Sequence, residues 1–224
     1  MIPSLESVLR HPGIWRGSQR AQTAEAVLPT GFAALDAVLP GGGWPRGALT
    51  ELLIRRQGIG ELRLLTPALA RLSEEEGWLA WVAPPYVPYA AALAASGIDL
   101  ARVLVAKPAS EADAWWTAEQ ALRSGACGAL LAWLRAADER RMRRLQLAAE
   151  TGQAWGVLFR HARAAQERSP AALRLLLEPA GEGLAVHVLK RRGGPVSRPL
   201  VVALPQAGVR RARRVAPVLS LIHS

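Results

Sequence analysis

An apolar run, Ala48 to Ile54, is followed by Arg55-Arg56-Gln57-Gly58-Ile59-Gly60-Glu61-Leu62 and then by residues at helical spacing. A phosphate-binding loop is built in this setting. It needs glycines for the tight turn, inward-pointing N–H groups, a Lys on the terminal phosphates and a Ser or Thr on magnesium. Gly58 and Gly60 are present, but Glu61 and Leu62 stand where the Lys and the Ser or Thr belong. Two unit charges about 4 Å apart interact by about 4 kcal/mol at an effective dielectric of about 20, so reversing the sign should turn a triphosphate away. Arg55, Arg56, Gln57, Gly58, Gly60 and Glu61 therefore read as a degenerate phosphate loop. Arg55 and Arg56 could hold an anion there by charge alone.

Two further positions can be checked independently. Gly128 to Leu134, where a magnesium-positioning Asp would end a strand, has no carboxylate, and Trp81-Val82-Ala83-Pro84-Pro85 has Pro where a water-activating Glu would stand. With cation, metal ligand and base all missing, no catalytic residue and no nucleotide cofactor are expected. The four histidines and Cys127 are scattered, so no metal site is expected either.

The remaining chemistry is cationic. The formal net charge is +10, carried almost wholly by Arg because Lys107 and Lys190 are the only lysines. No acidic residue follows Gly183, while basic residues accumulate there. Such an excess attracts polyanions, phosphate backbones above all. Three segments are candidate DNA contacts: Arg160, Arg163 and Arg168; the turn Lys190-Arg191-Arg192; and Arg210, Arg211, Arg213 and Arg214. The guanidinium fork suits phosphate because it donates two parallel hydrogen bonds. The first segment could equally be a solvated connection, and the third a basic tail with only non-specific attraction. The five arginines between Arg135 and Arg144 read instead as a salt-bridged helix face, with Glu139 and Arg143 four residues apart. Of the tryptophans, Trp78, Trp81, Trp133 and Trp155 lie in apolar strand candidates and belong to the core. Trp15 and Trp44, in polar or Gly-rich surroundings, are expected to be exposed partner anchors.

These residues need a scaffold. Strands at 48–54, 78–83, 103–106, 128–134 and 154–159 alternate with helical patterns at 62–72, 86–95, 111–123 and 138–151, which predicts a mainly parallel sheet flanked by helices. Beyond Arg160, apolar runs at 173–178, 184–190 and 200–203 follow one another with turns between, as antiparallel strands do. Residues 1–27 read as an N-terminal arm, 28–205 as one domain and 206–224 as a basic C-terminal tail. The 224 residues suffice for one core, no run approaches the roughly 20 apolar residues of a membrane span, and no export signal opens the chain. Together with the lone cysteine, these features predict a soluble cytoplasmic protein.

Thr30-Gly31-Phe32-Ala33-Ala34-Leu35-Asp36, Leu39 to Gly47 and Leu49-Thr50-Glu51 resemble the entry to a RecA-like core. Trp15-Arg16-Gly17, Leu28 to Phe32, Leu39 to Pro45, Ser169 to Leu175 and Lys190 to Gly193, in that order, resemble the ImuA family of translesion-synthesis accessory proteins, itself related to the SulA division inhibitors. That resemblance implies an α/β RecA-like fold and expression in the SOS response to DNA damage. It also implies a non-hydrolysing adaptor role in translesion synthesis and mutagenesis, and partners comprising an ImuB-type protein, an error-prone replicative-type DNA polymerase and RecA. Chain length and basicity favour this DNA-repair branch. Two alternatives stay open: a DNA-stimulated ATPase with an unorthodox nucleotide site, and a SulA-like protein-binding inhibitor of cell division. A homo-oligomer is compatible with either.

Overall fold

The structure is a computed structural model describing residues 27–75, 77–135, 137–181, 183–194, 196 and 198–204. The expected arm, apart from its last residue, the basic tail and residue 205 of the expected domain lie outside the described residues. So do Trp15, Arg210, Arg211, Arg213 and Arg214.

The strands are β1 (Val27–Leu28), β2 (Trp44–Pro45), β3 (Ala48–Ile54), β4 (Trp78–Val82), β5 (Val103–Ala106), β6 (Cys127–Ala132), β7 (Trp155–His161), β8 (Leu173–Ala180), β9 (Gly183–Lys190) and β10 (Leu200–Ala203). The α-helices are α1 (Ala33–Asp36), α2 (Glu61–Glu74), α3 (Ala90–Ala95), α4 (Glu111–Arg123) and α5 (Glu139–Gly152). β1 and β2 form a small antiparallel pair, and the other eight strands form one sheet in the order β10-β9-β8-β3-β7-β6-β4-β5. The six strands from β8 to β5 in that order are parallel, while β9 and β10 extend the sheet antiparallel to their neighbours. This is the mixed α/β architecture the alternation predicted.

β3 is the axis. All seven of its residues are buried. A strand covered on both faces shows a continuous apolar run rather than alternation, which is why its boundaries are legible. It pairs in parallel with β7, from Ala48 opposite Trp155 to Ile54 opposite His161, and with β8 from Thr50 opposite Leu173. One face is covered by α2 and α3 through Leu64, Leu65, Leu69, Leu72 and Leu93, the other by α4 and α5 through Trp115, Leu122, Met142 and Leu145. Ser110 and Asp138 start α4 and α5 by accepting the N–H of Asp113 at 3.1 Å and of Arg141 at 2.7 Å. α4 and α5 are joined by buried Glu119, which binds Arg123 at 2.9 Å and Arg144 at 2.5 Å. Glu139 pairs with Arg143 at 2.5 Å, as the spacing on a salt-bridged face requires.

Two expectations change. Trp44 is fully buried, not a surface anchor: it pairs with Leu28 across β1–β2 and stacks on Trp155 at 5.2 Å. Its Gly- and Pro-rich neighbours are a close-packed turn, since a Cβ at Gly43 would lie 2.3 Å from the Leu28 carbonyl oxygen. The helix expected from Tyr86 begins only at Ala90. Pro84, Pro85 and Pro88 disfavour helical backbone in the residues before them, and 84–89 are irregular, with a bend at Pro85 and Tyr86.

Candidate protein-interaction site

The loop after β3 has the glycine geometry of a phosphate cradle, with Gly58 at φ 79° and Gly60 at φ 108° leading into α2. Its N–H groups are already occupied. The carboxylate of Glu61 folds back to accept from the N–H of Gly58 at 2.8 Å, Ile59 at 2.9 Å and Gly60 at 3.1 Å. Glu61 is buried in doing so. A carboxylate bound by three backbone donors at the positive end of a helix has the partners a phosphate would take. Its negative charge therefore does more than repel an incoming anion: it occupies the place of one. The cover is completed by the chain after β10, where Leu204 is buried and its carbonyl accepts from Arg63 at 3.0 Å. A Cβ on Gly60 would come within 2.6 Å of the Leu204 side chain. Arg55 stays 75% exposed and lies 3.6 Å from Glu178, and Arg56 and Gln57 are exposed.

The carboxyl ends of the neighbouring strands are filled as well. Trp81 of β4, Trp133 just after β6 and Phe159 of β7 stack in succession, at 5.8 Å and then 4.3 Å between ring centroids. Trp81 and Phe159 belong to the core on the α2 face of the sheet, and Trp133 packs against it. Among the described residues no group of three His, Cys, Asp or Glu side chains gathers for a metal. Cys127 is buried, and burial pushes its thiol up to about 11.

The arginines expected to touch DNA divide into engaged and free. Glu51, fully buried in the middle of β3, binds Arg174 at 2.7 Å, Arg160 at 3.3 Å and Ser169 Oγ at 2.6 Å. Arg160 also binds Glu167 at 2.5 Å. Arg174 donates to the carbonyls of Ala164 at 2.6 Å and Glu167 at 2.9 Å, which fixes the 3-10 turn Ala162–Gln166 over the sheet. Arg160 is thus a structural residue of that turn, whereas Arg163 and Arg168 are exposed. In the second segment Arg191 donates to Gly194 O at 2.9 Å and to the carbonyl of Val38, and Lys190 donates to Ser169 O at 2.7 Å. Arg192 is exposed and also has an interaction partner.

The surface that sequence reasoning missed is the irregular segment 84–89. Ala83 adopts φ 51°, a conformation costly for a residue with a Cβ, and its N–H donates to Ala106 O at 2.9 Å. The chain thereby turns out of the sheet beside the end of β5. Pro84-Pro85-Tyr86-Val87-Pro88-Tyr89 then carries Tyr86 77%, Val87 70% and Tyr89 75% exposed. Leu104 and Val105 are exposed on β5, an edge strand of the sheet. Tyrosines on a proline-stiffened segment bind partners at low entropic cost. The proline spacing was the available signal.

Comparison with known proteins gives this surface its context. The family profile described as "Cell division inhibitor SulA" matches residues 47–156. The cell division inhibitor SulA of Yersinia enterocolitica is 32% identical over 117 residues, 51% of this chain and 68% of that protein. The chain belongs to the SulA family. The SulA of Edwardsiella piscicida is 33% identical over 96 residues, and the present chain spans only 57% of its length. The crystal structure of SulA from Pseudomonas aeruginosa aligns at 30% identity with a TM-score of 0.42, over 50% of this chain and 97% of that one.

Membership in the SulA family corrects the translesion-synthesis assignment. The profile and relatives carry the SulA description, so the ImuA-type adaptor role, the ImuB-type and polymerase partners and DNA binding as part of that role are withdrawn. The basicity that favoured them discriminates poorly, because many of the arginines serve internal pairs. The SulA segment includes the closed loop 55–60 and the tyrosine segment 84–89, but ends before the turn at 162–166. No helix among the described residues is long and apolar enough to cross a membrane.

Proposed function

We propose that this chain is a non-catalytic, DNA-damage-induced inhibitor of cell division, acting in the cytoplasm by binding a protein of the division apparatus. Family membership supports the class of activity. The observation that carries the mode of action is the closed phosphate loop together with an exposed, proline-held tyrosine segment after β4. With Glu61 on the cradle N–H groups, the described residues hold no open phosphate loop and offer outer surfaces for binding. The parallel order β8-β3-β7-β6-β4, with a glycine loop after its second member, supports a RecA-like core that has become a binding scaffold.

Controlled expression in a rod-shaped bacterium tests this. Wild-type chain is expected to block septation and give filaments. Tyr86→Ser with Tyr89→Ser should restore division at equal protein level and unchanged thermal midpoint, because two exposed aromatic anchors of about 2 kcal/mol or more each would be lost from the interface but not from the core. Normal division with wild-type chain present at full level would refute the function, and filamentation by the double variant would refute the surface.

A further inference from the structure

On the face covered by α5, helical cover stops at β3, and β8 and β9 continue beyond it. There the first turns of α5, the segment 167–170 and the strand residues Arg174, Leu189 and Lys190 enclose an open cleft of about 590 Å³. The charges around it are unequally matched. Glu139 is bound to Arg143 at 2.5 Å, Glu167 to Arg160 at 2.5 Å, and Glu51 below to Arg174 at 2.7 Å. Among the described residues Arg168 has no carboxylate partner, and the Lys190 ammonium donates to the Ser169 carbonyl at 2.7 Å and to no carboxylate. Partial desolvation, and next the charge of Arg174, hold the Lys190 pKa below its ordinary value, with Glu51 acting in the opposite sense. A second anion would relieve this imbalance.

Leu189 is 38% exposed, and it and Pro170 add an apolar wall beside the two cations. We propose that this cleft binds an acidic segment of the partner protein, a carboxylate side chain seating between Arg168 and Lys190 with an apolar neighbour on Leu189 and Pro170. The proposal rests on the reading of the chain as a protein-binding inhibitor. The apolar wall of Leu189 and Pro170 suits a peptide that sets an apolar side chain beside its carboxylate, which an evenly charged phosphate backbone does not offer, and the net charge of +10 makes a second copy of this chain the wrong occupant. Arg168 and Lys190 lie beyond the residues matched by the SulA profile, whereas Glu139 and Arg143 on the opposite wall lie within them.

The test uses the full chain and two fluorescent probes in anisotropy titrations: a synthetic peptide alternating leucine and glutamate, and an oligothymidylate of equal charge. The peptide should bind more tightly than the oligothymidylate. Arg168→Glu with Lys190→Glu should raise its Kd at least about tenfold. Arg163→Glu, an exposed charge reversal not among the cleft residues, should leave it within about twofold. Arg168→Gln, removing a side chain without an ion-pair partner, should weaken the peptide in the same direction if the double variant fails to fold. Peptide affinity indifferent to these changes, or tighter oligothymidylate binding abolished by them, would overturn the proposal. Filamentation separates the two readings. A wild-type chain that never filaments cells defeats the division assignment even if the peptide binds. Filamentation undiminished in Arg168→Glu with Lys190→Glu defeats the cleft alone.

Discussion

Glu51→Gln is expected to destabilise the protein by about 3 kcal/mol, read as a lower urea midpoint at unchanged slope. Glutamine keeps the size of the side chain but removes the charge that balances Arg174, only 7% of whose side chain is exposed, and Arg160, of which 11% is exposed. An uncompensated guanidinium would then lie under the 3-10 turn that it holds through the carbonyls of Ala164 and Glu167. Amide exchange across 162–169 should therefore accelerate along with the loss of global stability. Glu51→Leu combined with Arg174→Met should recover part of the loss, because replacing both ions by apolar groups removes the desolvation cost with the attraction. A change below about 0.5 kcal/mol in Glu51→Gln would show that the network contributes little.

Glu61→Ala is the second large effect, expected to cost about 2 kcal/mol. It removes one acceptor group serving three N–H donors, and charged hydrogen bonds contribute about 1.5–3 kcal/mol each before water replaces some of them. Gly58 is exposed, so water can reach that donor, which keeps the estimate at the low end. Sulfate should restore stability in Glu61→Ala by more than it adds to wild type, since an emptied cradle of N–H groups at a helix start accepts an anion. Equal sulfate effects on both proteins would mean that Glu61 is not the resident anion.

What the sequence disclosed depended on how local the cause was. The β3–loop–α2 unit was legible because seven buried residues, two glycines and a helical pattern follow in one stretch. The sign of the charge at Glu61 was legible too, but its hydrogen bonds were not, because repulsion and occupancy place the same residue at the same position. Segment 84–89 was misassigned when the apolar content of Tyr86 to Ala95 was weighed above its prolines. Trp44 was misplaced because a Gly-rich turn suggests exposure, and its partner Trp155 lies in a strand far along the chain. The basic clusters were the least legible. Glu51 is 109 residues from Arg160, and Val38 is 153 residues from Arg191, so these partners of the two arginines lie far from them in sequence.

The functional account stands on a fold that keeps a phosphate cradle while filling it from within, which leaves its outer surfaces to do the binding. Titration calorimetry of the wild-type chain with magnesium-ATP tests this most directly. No saturable heat is predicted at concentrations where an open cradle would fill. Saturable, magnesium-dependent uptake by the wild-type protein would contradict the account.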